Sequence, residues 1–157
     1  MVICVRKQLD GTMRTRGFSL LELLLVVAII LIIATIAIPA LLRSKQSADE
    51  SAAVANLRNV GTAEATYILS SGGNYGTLAE LITAGLMDTR FISSVSGYAY
   101  NVTTFTGGFT GEAVPTGLNA GRYGYNVAPD SVIRYASSTS STCNPCYPTG
   151  LSGEPVR

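Results

Sequence analysis

Arg16-Gly17-Phe18-Ser19-Leu20-Leu21-Glu22 is the stretch on which the reading of this chain turns. Before it, residues 1–17 are polar and basic, with Arg6, Lys7, Arg14 and Arg16 against the single acid Asp10. After it, Leu23 to Leu42 runs 20 residues without a charge, and extension back to Phe18 adds only Ser19 and Glu22 as polar side chains. At a helical rise of ~1.5 Å, ~20 residues cover the ~30 Å of a bilayer's hydrocarbon. The run is longer than the ~7–15-residue apolar core of a secretory signal. Charge sets its direction. Four cations precede it, whereas Arg43 and Lys45 behind it are soon diluted by Asp49 and Glu50. The bias toward cytoplasmic cations predicts one pass through the cytoplasmic membrane, the N-terminus inside and the body outside.

The helical pattern continues past the apolar run. Residues 44–69 contain no proline and one glycine. At ~100° per residue, Ala53, Leu57, Val60, Tyr67 and Ile68 fall on one side and Arg58, Asn59, Thr62 and Thr66 on the other, which predicts an amphipathic helix with a core-facing stripe. Glu64 is the one misfit inside that stripe. Ser70-Ser71-Gly72-Gly73-Asn74 is a turn-prone stop. The spacing therefore predicts one helix from about Phe18 to about Ser70.

A short second helix is predicted next, with Thr77 and Glu80 at capping-box spacing, Leu78, Leu81 and Ile82 as its apolar face, and Gly85 as its end. Residues 98–104 alternate in strand fashion, and 122–127 and 132–136 are two more strand candidates. Gly-Tyr-Ala-Tyr-Asn-Val at 97–102 is echoed by Arg-Tyr-Gly-Tyr-Asn-Val at 122–127, as expected of two strands of one sheet with tyrosines on one face. The glycine-rich segment 105–121 reads as a wide hairpin loop, and the tail 137–157 as irregular. The fold class is α+β: a long N-terminal helix, membrane-spanning in its first half, packed on a small antiparallel sheet. The expected divisions are a leader at 1–17, a transmembrane helix at 18–42, the amphipathic second half at 43–71, and a head at 72–157.

Composition excludes several functions. The chain has 157 residues, 47% of them apolar and 13% charged, and no histidine or tryptophan. Without histidine there is no Ser-His-Asp hydrolase and no c-type haem attachment, and the commonest general base and metal ligand are gone. The formal charge is +1. Residues 18–157 alone hold 7 basic and 9 acidic side chains, a charge of −2, which gives no case for nucleic-acid binding. No cofactor or metal is expected, and no enzyme.

The segment Arg16–Glu22, the apolar run and Pro39 together resemble the cleavage and assembly signal of type IV prepilins and type II secretion pseudopilins. The resemblance is strong over residues 14–45. It implies a basic leader, a cut between Gly17 and Phe18, N-methylation of Phe18, and an acid, Glu22, at the fifth residue of the mature chain. The peptidase and N-methyltransferase would be a partner enzyme. Gly17 suits such a cut because it lets a protease approach the peptide bond closely. Cleavage leaves the apolar helix attached, so the product stays in the membrane. An unpaired acid in hydrocarbon costs several kcal/mol. The new Phe18 amine of a neighbouring subunit could compensate Glu22 when subunits pack in register; the plainer alternative is an acid that snorkels to the membrane face. Pro39 removes the hydrogen bond to the Thr35 carbonyl and predicts a kink. By resemblance, the helix before it can lose structure in a filament.

The resemblance implies a structural role: a filament subunit stored in membrane lipid and assembled with copies of itself or related pilins by an inner-membrane platform and its ATPase. A type IV pilus subunit is the first reading, and a type II secretion pseudopilin of a short periplasmic filament the alternative. Loss of the leader removes Cys4 and leaves Cys143 and Cys146 as an exported Cys-x-x-Cys pair. A local disulfide, a redox pair, half a zinc site and free thiols are its open readings. The redox reading makes the chain a membrane-anchored periplasmic redox or binding protein. The Asn101-Val102-Thr103 sequon and the hydroxyl run 137–142 read more simply as strand and solvated loop than as glycosylation sites.

Overall fold

The computed structural model describes residues 17–117, 119–137 and 151–156. Residues 1–16, with Cys4, and the pair Cys143 and Cys146 lie outside the described residues. Helix α1, Leu20–Ser70, has 51 residues and passes through Pro39 without interruption. It ends where the turn-prone cluster begins: Ser71 N–H bonds the Tyr67 carbonyl at 2.9 Å and Gly73 N–H the Ile68 carbonyl at 3.0 Å. The chain divides between Ile38 and Pro39 into two compact units. In the first, the described part is Gly17, Phe18, Ser19 and the apolar start of α1. The second comprises the rest of α1 and the head.

The head opens with α2, Leu78–Thr83. Its capping box forms as predicted: Thr77 N–H and hydroxyl both donate to Glu80 Oε2, at 2.7 and 2.8 Å, and Glu80 N–H returns to Thr77 Oγ1 at 3.4 Å. A 3-10 turn, Thr89–Ile92, leads to an antiparallel sheet whose strands lie side by side in chain order. They are β1 Tyr98–Phe105, β2 Gly108–Pro115, β3 Tyr123–Val127, β4 Ile133–Ser137 and β5 Glu154–Pro155.

Ala53, Leu57, Val60 and Ala63 of α1 join Tyr98, Tyr100, Val102, Phe109, Ala113, Tyr125, Val127 and Ile133 of the sheet in one core cluster. On β1 to β4 the side chains that join or flank that core fall at alternate positions, as a pleat requires. Register sets Tyr100 opposite Ala113, Ala113 opposite Tyr125 and Tyr125 opposite Tyr135. The Tyr-x-Tyr echo is thus explained: both copies are strands of one sheet, with β2 between them, and Tyr98 and Tyr125 lie 6.0 Å apart by ring centroid.

Three expectations are corrected. Residues 105–121 are not a wide loop. The β1–β2 turn is only Thr106-Gly107, and eight residues of the segment form β2. Three of its glycines, Gly108, Gly111 and Gly121, stand where another group approaches the backbone closely. A Cβ on Gly111 would stand 2.9 Å from Val127 Cγ1 and 3.1 Å from Val60 Cγ1, so the bare backbone lets α1 and β3 close over it. Second, Ile68 is only half-buried, and Ala63 takes the inward position instead. Third, the tail contributes Glu154–Pro155 as an edge strand on β4. Pro155 fits there, because an edge position does not require its missing N–H.

Candidate functional site

Gly17, Phe18 and Ser19 are irregular and exposed, and helix α1 begins directly after them at Leu20. The Leu23 N–H donates to the Ser19 carbonyl at 3.1 Å, which makes Ser19 the residue at the helix entrance. Ser19 and Glu22 also stand at capping-box spacing, a local signal for a helix start at this point. Glu22 occupies the first turn of α1, where an acid complements the positive end of the helix. The Gly17–Phe18 bond is therefore accessible, and Phe18 is 74% exposed.

From Leu20 to Leu42, every large apolar side chain is at least 42% exposed. Burying a side chain of this kind is worth ~1.5–3 kcal/mol, so a helix surface made almost wholly of them is unstable in water. Among the described residues, α1 is the one helix long and apolar enough to cross a membrane. Pro39 lies within it, where the missing N–H leaves the Thr35 carbonyl without its usual partner. One turn earlier, the Thr35 hydroxyl donates to the Ile32 carbonyl at 2.7 Å.

The head is tied to α1 by a contact the sequence did not disclose. Glu50, 8% exposed, accepts from the Arg122 backbone N–H at 2.8 Å and from Arg122 Nε and Nη2 at 3.3 Å each. The partners are 72 residues apart, beyond any local spacing rule. Nearby, burial first and then the Glu50 charge push the Tyr125 phenol up to about 12. A second polar tie joins Asn56 Nδ2 to the Tyr100 hydroxyl at 2.9 Å.

An open groove of about 860 Å³ lies between this part of α1 and strands β3–β5, walled by Val54, Arg58, Tyr123, Tyr135 and Glu154. None of Gly17, Phe18, Glu22 and Pro39 lines it. No group of three metal-ligating side chains occurs among the described residues.

A family model described as the prokaryotic N-terminal methylation motif matches residues 12–38. The chain is also similar to the type IV wide pilus major component PilA4 of Thermus thermophilus, with 35% identity over 74 residues. The match covers 47% of this chain and 56% of that protein, so the chain spans about half the length of the curated relative it matches. No solved structure matches significantly.

Proposed function

We propose, from the premise that this chain belongs to the type IV pilin family, that it is a structural subunit of a type IV pilus, made as a membrane-stored precursor and polymerised through α1. The family is one of structural subunits and not of enzymes. The observation that carries the proposal is the uncovered apolar surface of α1 from Leu20 to Leu42, with the single acid Glu22 in its first turn and an accessible Gly17–Phe18 bond immediately before it. A surface of that extent needs either lipid or other copies of itself, and a subunit passing from membrane to filament exchanges one for the other.

The proposed sequence of events begins in the cytoplasmic membrane, with the basic leader held inside. A prepilin peptidase cuts after Gly17 and the freed Phe18 is N-methylated. The new amine then meets Glu22 of a neighbouring subunit, so that both charges are compensated only when subunits are in register. Pro39 marks where α1 can bend or yield. An inner-membrane platform and its ATPase supply the work of extraction. The pilus is favoured over the pseudopilus because the relative is by its printed description a type IV pilus component.

Mass spectrometry of the cellular protein tests the processing step: the expected N-terminus is methylated Phe18, and an intact Met1 in the mature pool would overturn it. Electron microscopy of sheared cell surfaces, with this chain identified in the fibres, tests the pilus. Its confinement to short periplasmic assemblies would assign the pseudopilus instead.

A further inference from the structure

Glu64 is a buried acid that assembly through the apolar half of α1 does not use. Its side chain is 0% exposed. Oε2 accepts the Gly76 backbone N–H at 3.0 Å, and Oε1 has no hydrogen-bond partner among the described residues. The contact spans the connection between α1 and α2, pinning its far end to α1 twelve residues upstream. The fit is close. A Cβ on Gly76 would stand 2.8 Å from the Tyr67 ring, so the connection lies flush against the helix with no room for a side chain.

The charged group that acts on Glu64 is a like charge, Glu80 of α2. On α1, the positions one turn away are Val60, Gly61, Tyr67 and Ile68. The connection brings Tyr75, whose ring packs on Phe109 of β2 at 5.1 Å. None of these is a cation. Glu80 itself is held below the usual carboxylate range by the Thr77 backbone N–H and hydroxyl, so it is ionised wherever Glu64 titrates.

We propose that Glu64 is a proton-operated latch: as the neutral acid it holds the 71–76 connection on α1, and its ionisation releases that connection. A carboxylate without a cation or a second donor is far costlier to bury than the acid, and opening the connection is the direct way to admit water. Burial raises the Glu64 carboxyl above its ordinary 4.5, with the Gly76 N–H opposing and Glu80 adding to the rise. The sign follows. The closed state keeps a proton that the open state has already lost, so the latch is fully effective below 4.5 and fails as pH rises through the closed-state midpoint. Between those limits the equilibrium for opening should rise about tenfold per pH unit.

The test uses the full chain in detergent micelles. Carbon-13 titration of the Glu64 carboxyl gives its midpoint, and exchange of the Gly76 amide, corrected for the chemical exchange rate, gives the opening equilibrium. The expected result is a midpoint above 4.5 with opening that rises toward it, and a Glu64→Gln chain whose opening no longer depends on pH in that window. A Glu64 midpoint at or below 4.5, or an unchanged pH slope in Glu64→Gln, overturns the latch. Should Glu64→Gln not fold, the wild-type titration decides alone.

Discussion

Glu22, Glu50 and Glu64 are three of the carboxylates on α1, and their surroundings differ. Glu50 has a cation and a backbone donor from Arg122, Glu64 has one backbone donor and no cation among the described residues, and Glu22 stands exposed in the first turn. Glu50→Ala leaves the Arg122 N–H without its charged acceptor and should cost ~1.5–3 kcal/mol in denaturant unfolding of the head. Arg122→Ala keeps that backbone bond and removes only a guanidinium whose side chain is 62% exposed, so it should cost at most ~1 kcal/mol. Equal losses in the two variants would show that the ion pair, not the backbone bond, holds the contact. For Glu22, alanine should leave the precursor stable in the membrane and processed at Phe18, while the yield of sheared filaments falls at least tenfold. Normal yield would refute its registration role.

At the scale of elements, legibility in the sequence tracked the reach of the physics. The capping box at Thr77 and Glu80 and the stop after Ser70 depend on neighbours within a few residues, and both were legible. β2 was not, because its glycines serve contacts from other elements. The backbone at Gly111 is bare where Val60 of α1 and Val127 of β3 converge. Gly111→Val should therefore lower head stability by ~1–3 kcal/mol through overpacking, measured by urea unfolding with an unchanged m-value. Gly117→Ala, with nothing within 4 Å of its Cβ, is the control and should change stability little. Thr77→Ala should cost ~0.5–2 kcal/mol by loss of the cap, seen as faster amide exchange in α2.

For the whole molecule, the proposed processing and assembly would be linked by charge. Removal of residues 1–17 would take the formal charge from +1 to −2 and create the amine that Glu22 is proposed to meet. Replacing Gly17 with valine should crowd the bond proposed for cleavage, so the chain should accumulate with Met1 or its leader intact, remain in the membrane fraction and form no filaments. The measurement is the intact mass. A normally processed Gly17→Val chain would show that access to this bond does not limit the cut.

By itself, the sequence determined what depends on chain-local quantities: an apolar run long enough to cross a bilayer, the single acid at its head, the helix that continues to Ser70, the cap of α2 and the strand character of the two Tyr-x-Tyr segments. Each follows from periodicity or from spacing within a turn or two. Only the tertiary structure decided which distant groups meet. It paired Glu50 with Arg122, set β2 between the two tyrosine strands and left Ile68 half-exposed. It also showed that the Glu64 misfit in the apolar stripe is a buried carboxyl holding the backbone at Gly76. The reason is physical: burial and long-range hydrogen bonds depend on how elements pack, and no local pattern encodes which surface a helix face will find.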